Sequence, residues 1–190
     1  MENVHTTHGP DTGVLVHTSA DRRLAIEHWL LSTLPGPGRD RARMEWRELG
    51  VAMLPLGGLF SAVRLPGRLV QALAATAAPA AVDAFLADAL DDGPVICDQH
   101  GGSRYYALVP GSVPRTWRQA CEEWRAQDVD VLGRETILGV PAINAVDPTA
   151  PELASYWSVP MPSAAMLCRP LLVARLIAAG QHALTEASQP

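Results

Sequence analysis

Apolar positions along this chain recur at two spacings, every second residue or every third to fourth, and the changes of spacing mark out its elements. Gly101-Gly102-Ser103-Arg104-Tyr105-Tyr106-Ala107-Leu108-Val109-Pro110, after the apolar run Pro94-Val95-Ile96-Cys97, predicts strands over 94–98 and 104–109 joined by a glycine turn. Val51 to Leu56 and Leu59 to Leu65 read as two strands around Gly57-Gly58. Asp130 to Gly133, then Thr136 to Val140 stopped by Pro141, read as a second strand pair, and Ser155 to Val159 as a short strand. Ser19 and then Asp21 stand where they would cap a helix to Leu34, with Leu24, Trp29, Leu30 and Leu34 as its apolar side. Pro35-Gly36-Pro37-Gly38 predicts a stop and a short linker, and Arg39 to Leu49 is amphipathic without a decided element. Pro66 opens a helical stretch that Pro79 divides from a helix over Ala80 to Leu90, with Val82, Phe85, Leu86 and Leu90 on one side. Arg115 to Arg125 and Leu171 to Leu184 complete the helices. Residues 1–18 read as a flexible leader, 19–184 as a single domain and 185–190 as a tail. Strands joined by short turns, with helices between the groups, predict an α+β fold whose sheet is largely antiparallel with flanking helices.

Composition narrows the chemistry. With 190 residues, 48% hydrophobic and 18% charged, the chain can bury one sizeable core. Arg, Pro or Gly breaks every apolar run well short of the roughly 18 residues a membrane span needs. The first ten residues lack the basic-then-apolar pattern of a signal peptide, which predicts a cytoplasmic protein. Three cysteines make no disulfide framework, so reduced thiols are expected. All 15 basic residues are arginine, in an Ala- and Pro-rich chain of the kind a very GC-rich genome such as an actinobacterium's encodes. The missing lysine excludes a Walker phosphate loop, a Schiff base and a lysine general base. A net charge of −5 gives no general attraction to nucleic acid, so such binding needs a local patch. Up to Arg68 there are eight arginines against seven acids, and beyond it seven against thirteen.

Several motifs carry a resemblance. Residues 101–110 resemble the glycine-glycine hairpin of bifunctional primase-polymerase N-terminal domains. Asp130-Val131-Leu132-Gly133, Leu138-Gly139-Val140-Pro141 and Tyr156-Trp157 are similar, in order and rough spacing, to later motifs of that family. The likeness spans residues 57 to 160 and implies a primase-polymerase-like fold. Active members would hold two divalent metals and a nucleoside triphosphate with a carboxylate pair, a histidine and a third carboxylate. Here Ala62 and Arg64 take the acidic positions, Arg104 takes the histidine's, and Asp130 alone remains as a candidate carboxylate. The resemblance therefore implies a domain without its catalytic metals or cofactor. It would be a binding or regulatory module for nucleic acid, a nucleotide or a protein, with Arg64, Arg104, Asp130 and Tyr106 as anion-site candidates. A nucleotidyltransferase with rearranged carboxylates and a protein–protein adaptor are the competing readings. Arg64 and Arg104 would either hold an oxyanion or pair internally with Asp98, Asp128 or Asp130.

Other groups admit two readings each. Arg39, Arg41, Arg43 and Arg47, with Trp46 among them, suit phosphates and a stacked base, while the interspersed Asp40, Glu45 and Glu48 suit a solvated, self-paired helix face. Cys97, His100, Cys121 and Cys168 suit a zinc site only if they meet in space; buried cysteine is otherwise a small core residue. Asp98 and His100 suit an acid–base pair or a polar turn.

Overall fold

The computed structural model describes residues 18–150 and 154–187. Its strands are β1 (Val51–Pro55), β2 (Phe60–Pro66), β3 (Val95–Asp98), β4 (Arg104–Pro110), β5 (Asp130–Leu132), β6 (Ile137–Pro141) and β7 (Ser155–Val159). Five form an antiparallel sheet in the order β5-β2-β4-β3-β7, and β1 pairs with β6 as a separate two-stranded ribbon. The helices are α1 (Ser19–Leu31), α2 (Gly36–Leu49), α3 (Gly67–Ala74), α4 (Pro79–Ala89), α5 (Val113–Thr116), α6 (Arg118–Arg125) and α7 (Pro170–Ala187). The α+β class with an antiparallel sheet and flanking helices is as the residue pattern predicts.

Alternation along each strand gives the sheet two apolar faces, and each has its own cover. Val63 and Leu65 of β2, with Tyr105 and Ala107 of β4, pack under α3, α4 and α7. Phe60 and Ala62 of β2, with Leu108 of β4, face the opposite way into a core shared with α1, α2 and the β1–β6 ribbon. This second cover is shorter than the sheet, so part of that face stays open.

Local details depart from the sequence reading for physical reasons. Thr18, not Ser19 or Asp21, caps α1: its side chain accepts from the Asp21 amide while Asp21 reaches back, closing a capping box. The inward stripe of α1 is Ile26, Leu30 and Leu31, and Leu24 is half exposed. Pro35–Gly38 is no linker. Pro35 is the N-cap of α2 and Pro37 lies in its first turn, where a missing N–H costs nothing. Arg115–Arg125 is two helices divided at Trp117. The strands flanking Gly57-Gly58 do not pair with each other, nor do β5 and β6; each pair parts into the two sheets. Among the described residues no single helix is long and apolar enough to cross a membrane.

Candidate functional site

Register builds the site. Arg64 on β2 lies opposite Tyr106 on β4 and Asp130 on β5, while Arg104 lies opposite Pro66 and Asp98. Strand alternation therefore puts Ala62, Arg64, Arg104, Tyr106, Asp98 and Asp130 on one face. Ala62 lies in the second core and Tyr106 packs against it; Arg64, Asp98 and Asp130 are half-buried beyond them, and Arg104 is exposed.

Two backbone features shape that end. Gly67, first residue of α3, donates to the Ser103 carbonyl at 2.9 Å, and a Cβ on Gly67 would stand 2.4 Å from that oxygen. Only glycine lets the hairpin turn close on the start of α3. Gly101 (φ 65°) and Gly102 (φ 109°) then turn the chain through conformations that side chains disfavour. The result is a pocket of about 170 Å³ walled by Arg64, Pro66, Asp128 and the turn from Gly101 to Arg104.

The charges in it are unequally matched. The half-buried Arg64 donates through Nη2 to Asp130 Oδ2, so its charge is balanced within the fold. Arg68 reaches Asp128 at 3.4 Å on the exposed rim. Asp98 accepts from the His100 amide at 2.9 Å and faces that residue's Nδ1 at 3.3 Å, so the polar turn and the side-chain pair coexist. Arg104 is exposed and forms no ion pair among the described residues. Tyr106 lies half-buried between them. Burial raises its phenol first and Asp98 adds to this, while Arg64 and Arg104 oppose it.

These residues do not suit a pair of divalent ions. Ala62 and Arg64 offer no metal ligand, and the Asp130, Asp128 and Asp98 carboxylates are held by Arg64, Arg68 and His100. Among the described residues no three His, Cys, Asp or Glu side chains gather. Cys97, His100, Cys121 and Cys168 thus do not meet. Cys97 is buried and its thiol is pushed up to about 11, Cys168 to about 12, both chiefly by burial, so neither is a nucleophile at neutral pH.

The N-terminal arginines are largely engaged. Arg41 holds Glu45 at 2.9 Å, and Arg43 bridges Glu27 at 2.9 Å and Asp40 at 3.2 Å. Arg39 and Arg47 donate to the carbonyls of Leu34 and Arg43. The Trp46 indole is 9% exposed and donates to the Val140 carbonyl, so its ring belongs to the core.

One polar centre escapes sequence reasoning. Asp83 on α4 accepts from the Tyr156 hydroxyl at 3.2 Å and from the Ser158 hydroxyl, both on β7. Burial raises its carboxyl above the usual range, and the two hydroxyls offset part of this. Its partners lie 73 and 75 residues away, so nothing local announces it. No family model, curated protein or solved structure matches this chain.

Proposed function

We propose that this domain is a non-catalytic binding module. It takes an oxyanion, the phosphate of a nucleotide or of a nucleic acid strand, at the open end of its five-stranded sheet. One observation carries the reading: Arg104 is exposed and without a carboxylate, in the same pocket as an Arg64 whose charge Asp130 already balances. Guanidinium binds oxyanions in a fork geometry and needs no metal to do so. Arg104 then makes the primary contact. Arg64 contributes as far as the anion can compete with Asp130, and Tyr106, opposite Arg64 on β4, stands beside the site. The resemblance of residues 57 to 160 to primase-polymerase domains points the same way, since it would set arginine where that family holds its metals. A cytoplasmic setting fits three free, buried cysteines.

Titration with ATP and with single-stranded oligothymidylate, followed by thermal melts, tests the proposal. Arg104→Ala is expected to weaken binding roughly tenfold, the loss of one charge-assisted contact, while leaving the melting temperature unchanged. Binding should weaken as salt rises. Unchanged affinity in Arg104→Ala would overturn the site. Primer extension with Mg²⁺ or Mn²⁺ that disappears on Asp130→Ala would overturn the non-catalytic reading.

A further inference from the structure

Beyond the opposite end of β5 lies a second arginine pair, Arg134 in the following turn and Arg115 on α5, that the proposed site does not use. β5 runs from Asp130 to Leu132, about 7 Å at strand rise, and carries the chain away from the Arg64 pocket toward the turn that holds Arg134. There three turns converge: Gly57-Gly58 between β1 and β2, Gly111-Ser112 between β4 and α5, and Gly133-Arg134 between β5 and β6. They enclose a cleft of about 560 Å³. Arg115 and Arg134 line it, and no carboxylate does.

Glycine makes the convergence possible. A Cβ on Gly57 (φ 83°) would stand 2.4 Å from the Arg134 amide nitrogen, and one on Gly111 would stand 2.4 Å from the Gly58 carbonyl oxygen. Both are main-chain atoms that cannot swing aside, so these glycines hold the three turns together. Gly58 differs: a Cβ there meets nothing within 4 Å, so it borders the open cleft. The packed turns fix the backbone from which Arg134 projects.

Its charge is unbalanced. Among the described residues six arginines, Arg64 and Arg118 among them, hold a carboxylate, while others such as Arg104 stand unpaired as Arg115 and Arg134 do. What sets these two apart is that they share one acid-free cleft. Arg115 and Arg134 hold none among the described residues, and Glu135, next in the chain, pairs with neither. An anion entering this acid-free cleft would meet the positive charge of both arginines.

We propose that this cleft is a second phosphate-binding site, in which Arg115 and Arg134 clamp one phosphoryl group, of a free phosphate compound or of a nucleic acid backbone. The site stands independently of the Arg104 pocket. Calorimetric titration with inorganic pyrophosphate at low salt tests it, carried out in an Arg104→Ala background so that the other pocket does not contribute. Saturable binding is expected, weakened roughly tenfold by Arg115→Ala and again by Arg134→Ala. Gly58→Glu places a carboxylate where space exists and should abolish binding, while circular dichroism and melting temperature stay unchanged. Oligothymidylate that competes with pyrophosphate assigns the cleft to a nucleic acid backbone; pyrophosphate binding without competition assigns it to a free phosphate compound. No saturable binding of either, or equal affinity in Arg115→Ala and Arg134→Ala, overturns the proposal.

Discussion

At the scale of single residues, two carboxylates have opposite relations to their surroundings. Asp130 balances an arginine, whereas Asp83 is half-buried with hydroxyls as its partners. Burial raises the Asp83 carboxyl, so the folded protein binds that proton more tightly than the unfolded chain. The sign follows: its contribution favours folding below about pH 4, the ordinary range, and is lost as pH rises through the raised value. Both hydroxyls donate to one oxygen, Oδ1, which asparagine reproduces. Asp83→Asn should therefore be neutral or stabilising at pH 7 and should flatten that pH dependence. Asp83→Ala strands two hydroxyls and should cost about 1–3 kcal/mol. Urea melts of both variants from pH 3 to 8 check this; equal losses for the two would sink it. For Asp130 the expectation concerns binding. Asp130→Asn releases Arg64 and should raise affinity for ATP about fivefold, the equivalent of about 1 kcal/mol for a partly exposed pair. A weaker affinity would show that Asp130 positions Arg64 for the ligand instead of competing with it.

At the scale of elements, glycines in two helices meet different constraints. A Cβ on Gly180 of α7 would stand 2.5 Å from Cγ and Cδ2 of Leu69, a core residue of α3 only 1% exposed. Gly180→Ala gains helix propensity of about 1 kcal/mol but overpacks a filled contact, typically at 1–3 kcal/mol. Net destabilisation is expected. Gly36, in the first turn of α2, has nothing beyond its chain neighbours within 4 Å of such a Cβ, but the ring of Pro37 crowds a Cβ on the helical residue before it, so Gly36→Ala should leave stability within about 0.5 kcal/mol of the parent. Chemical denaturation of the two variants decides both, and a stabilised Gly180→Ala would show that α3 and α7 can move apart. The same scale shows where sequence reading ends. The β3–β4 hairpin is legible because a glycine turn between two β-rich runs is a local signal, and β7 because Tyr156, Trp157 and Val159 favour a strand. The parting of β1 from β2, and of β5 from β6, is set by which partner buries each face, and no local pattern encodes that. The site divides likewise. Alternation puts Ala62 and Arg64 on one side, and the hairpin puts Arg104 at its mouth, but the choice of Asp130 as Arg64's partner depends on a register between strands 66 residues apart.

For the whole molecule, the five-stranded sheet is common to both cores. Along β2, Phe60 and Ala62 enter one and Val63 and Leu65 the other, so neither layer can separate without exposing the far side of the same strand. Burial on both faces argues for a single cooperative unfolding transition, even though α1, α2 and the β1–β6 ribbon pack mainly on one side. The tryptophans allow each layer to be followed. Trp46 and Trp157 lie in the core under α1 and α2, whereas Trp117 and Trp124 lie on the opposite side, their ring centroids 6.3 Å apart. A Trp117→Phe/Trp124→Phe variant reports the first layer by fluorescence, and Trp29→Phe/Trp46→Phe/Trp157→Phe reports the second. Within each variant, the fluorescence midpoint in urea should coincide with that of far-ultraviolet circular dichroism. The buried thiols give an independent reading. Cys97 and Cys168 both lie in the core under α3, α4 and α7, and should react with a thiol reagent only at the rate of global opening. An earlier fluorescence transition confined to the α1–α2 layer, with Cys97 and Cys168 still protected, would show that the sheet does not tie the layers together and that the chain unfolds in two steps.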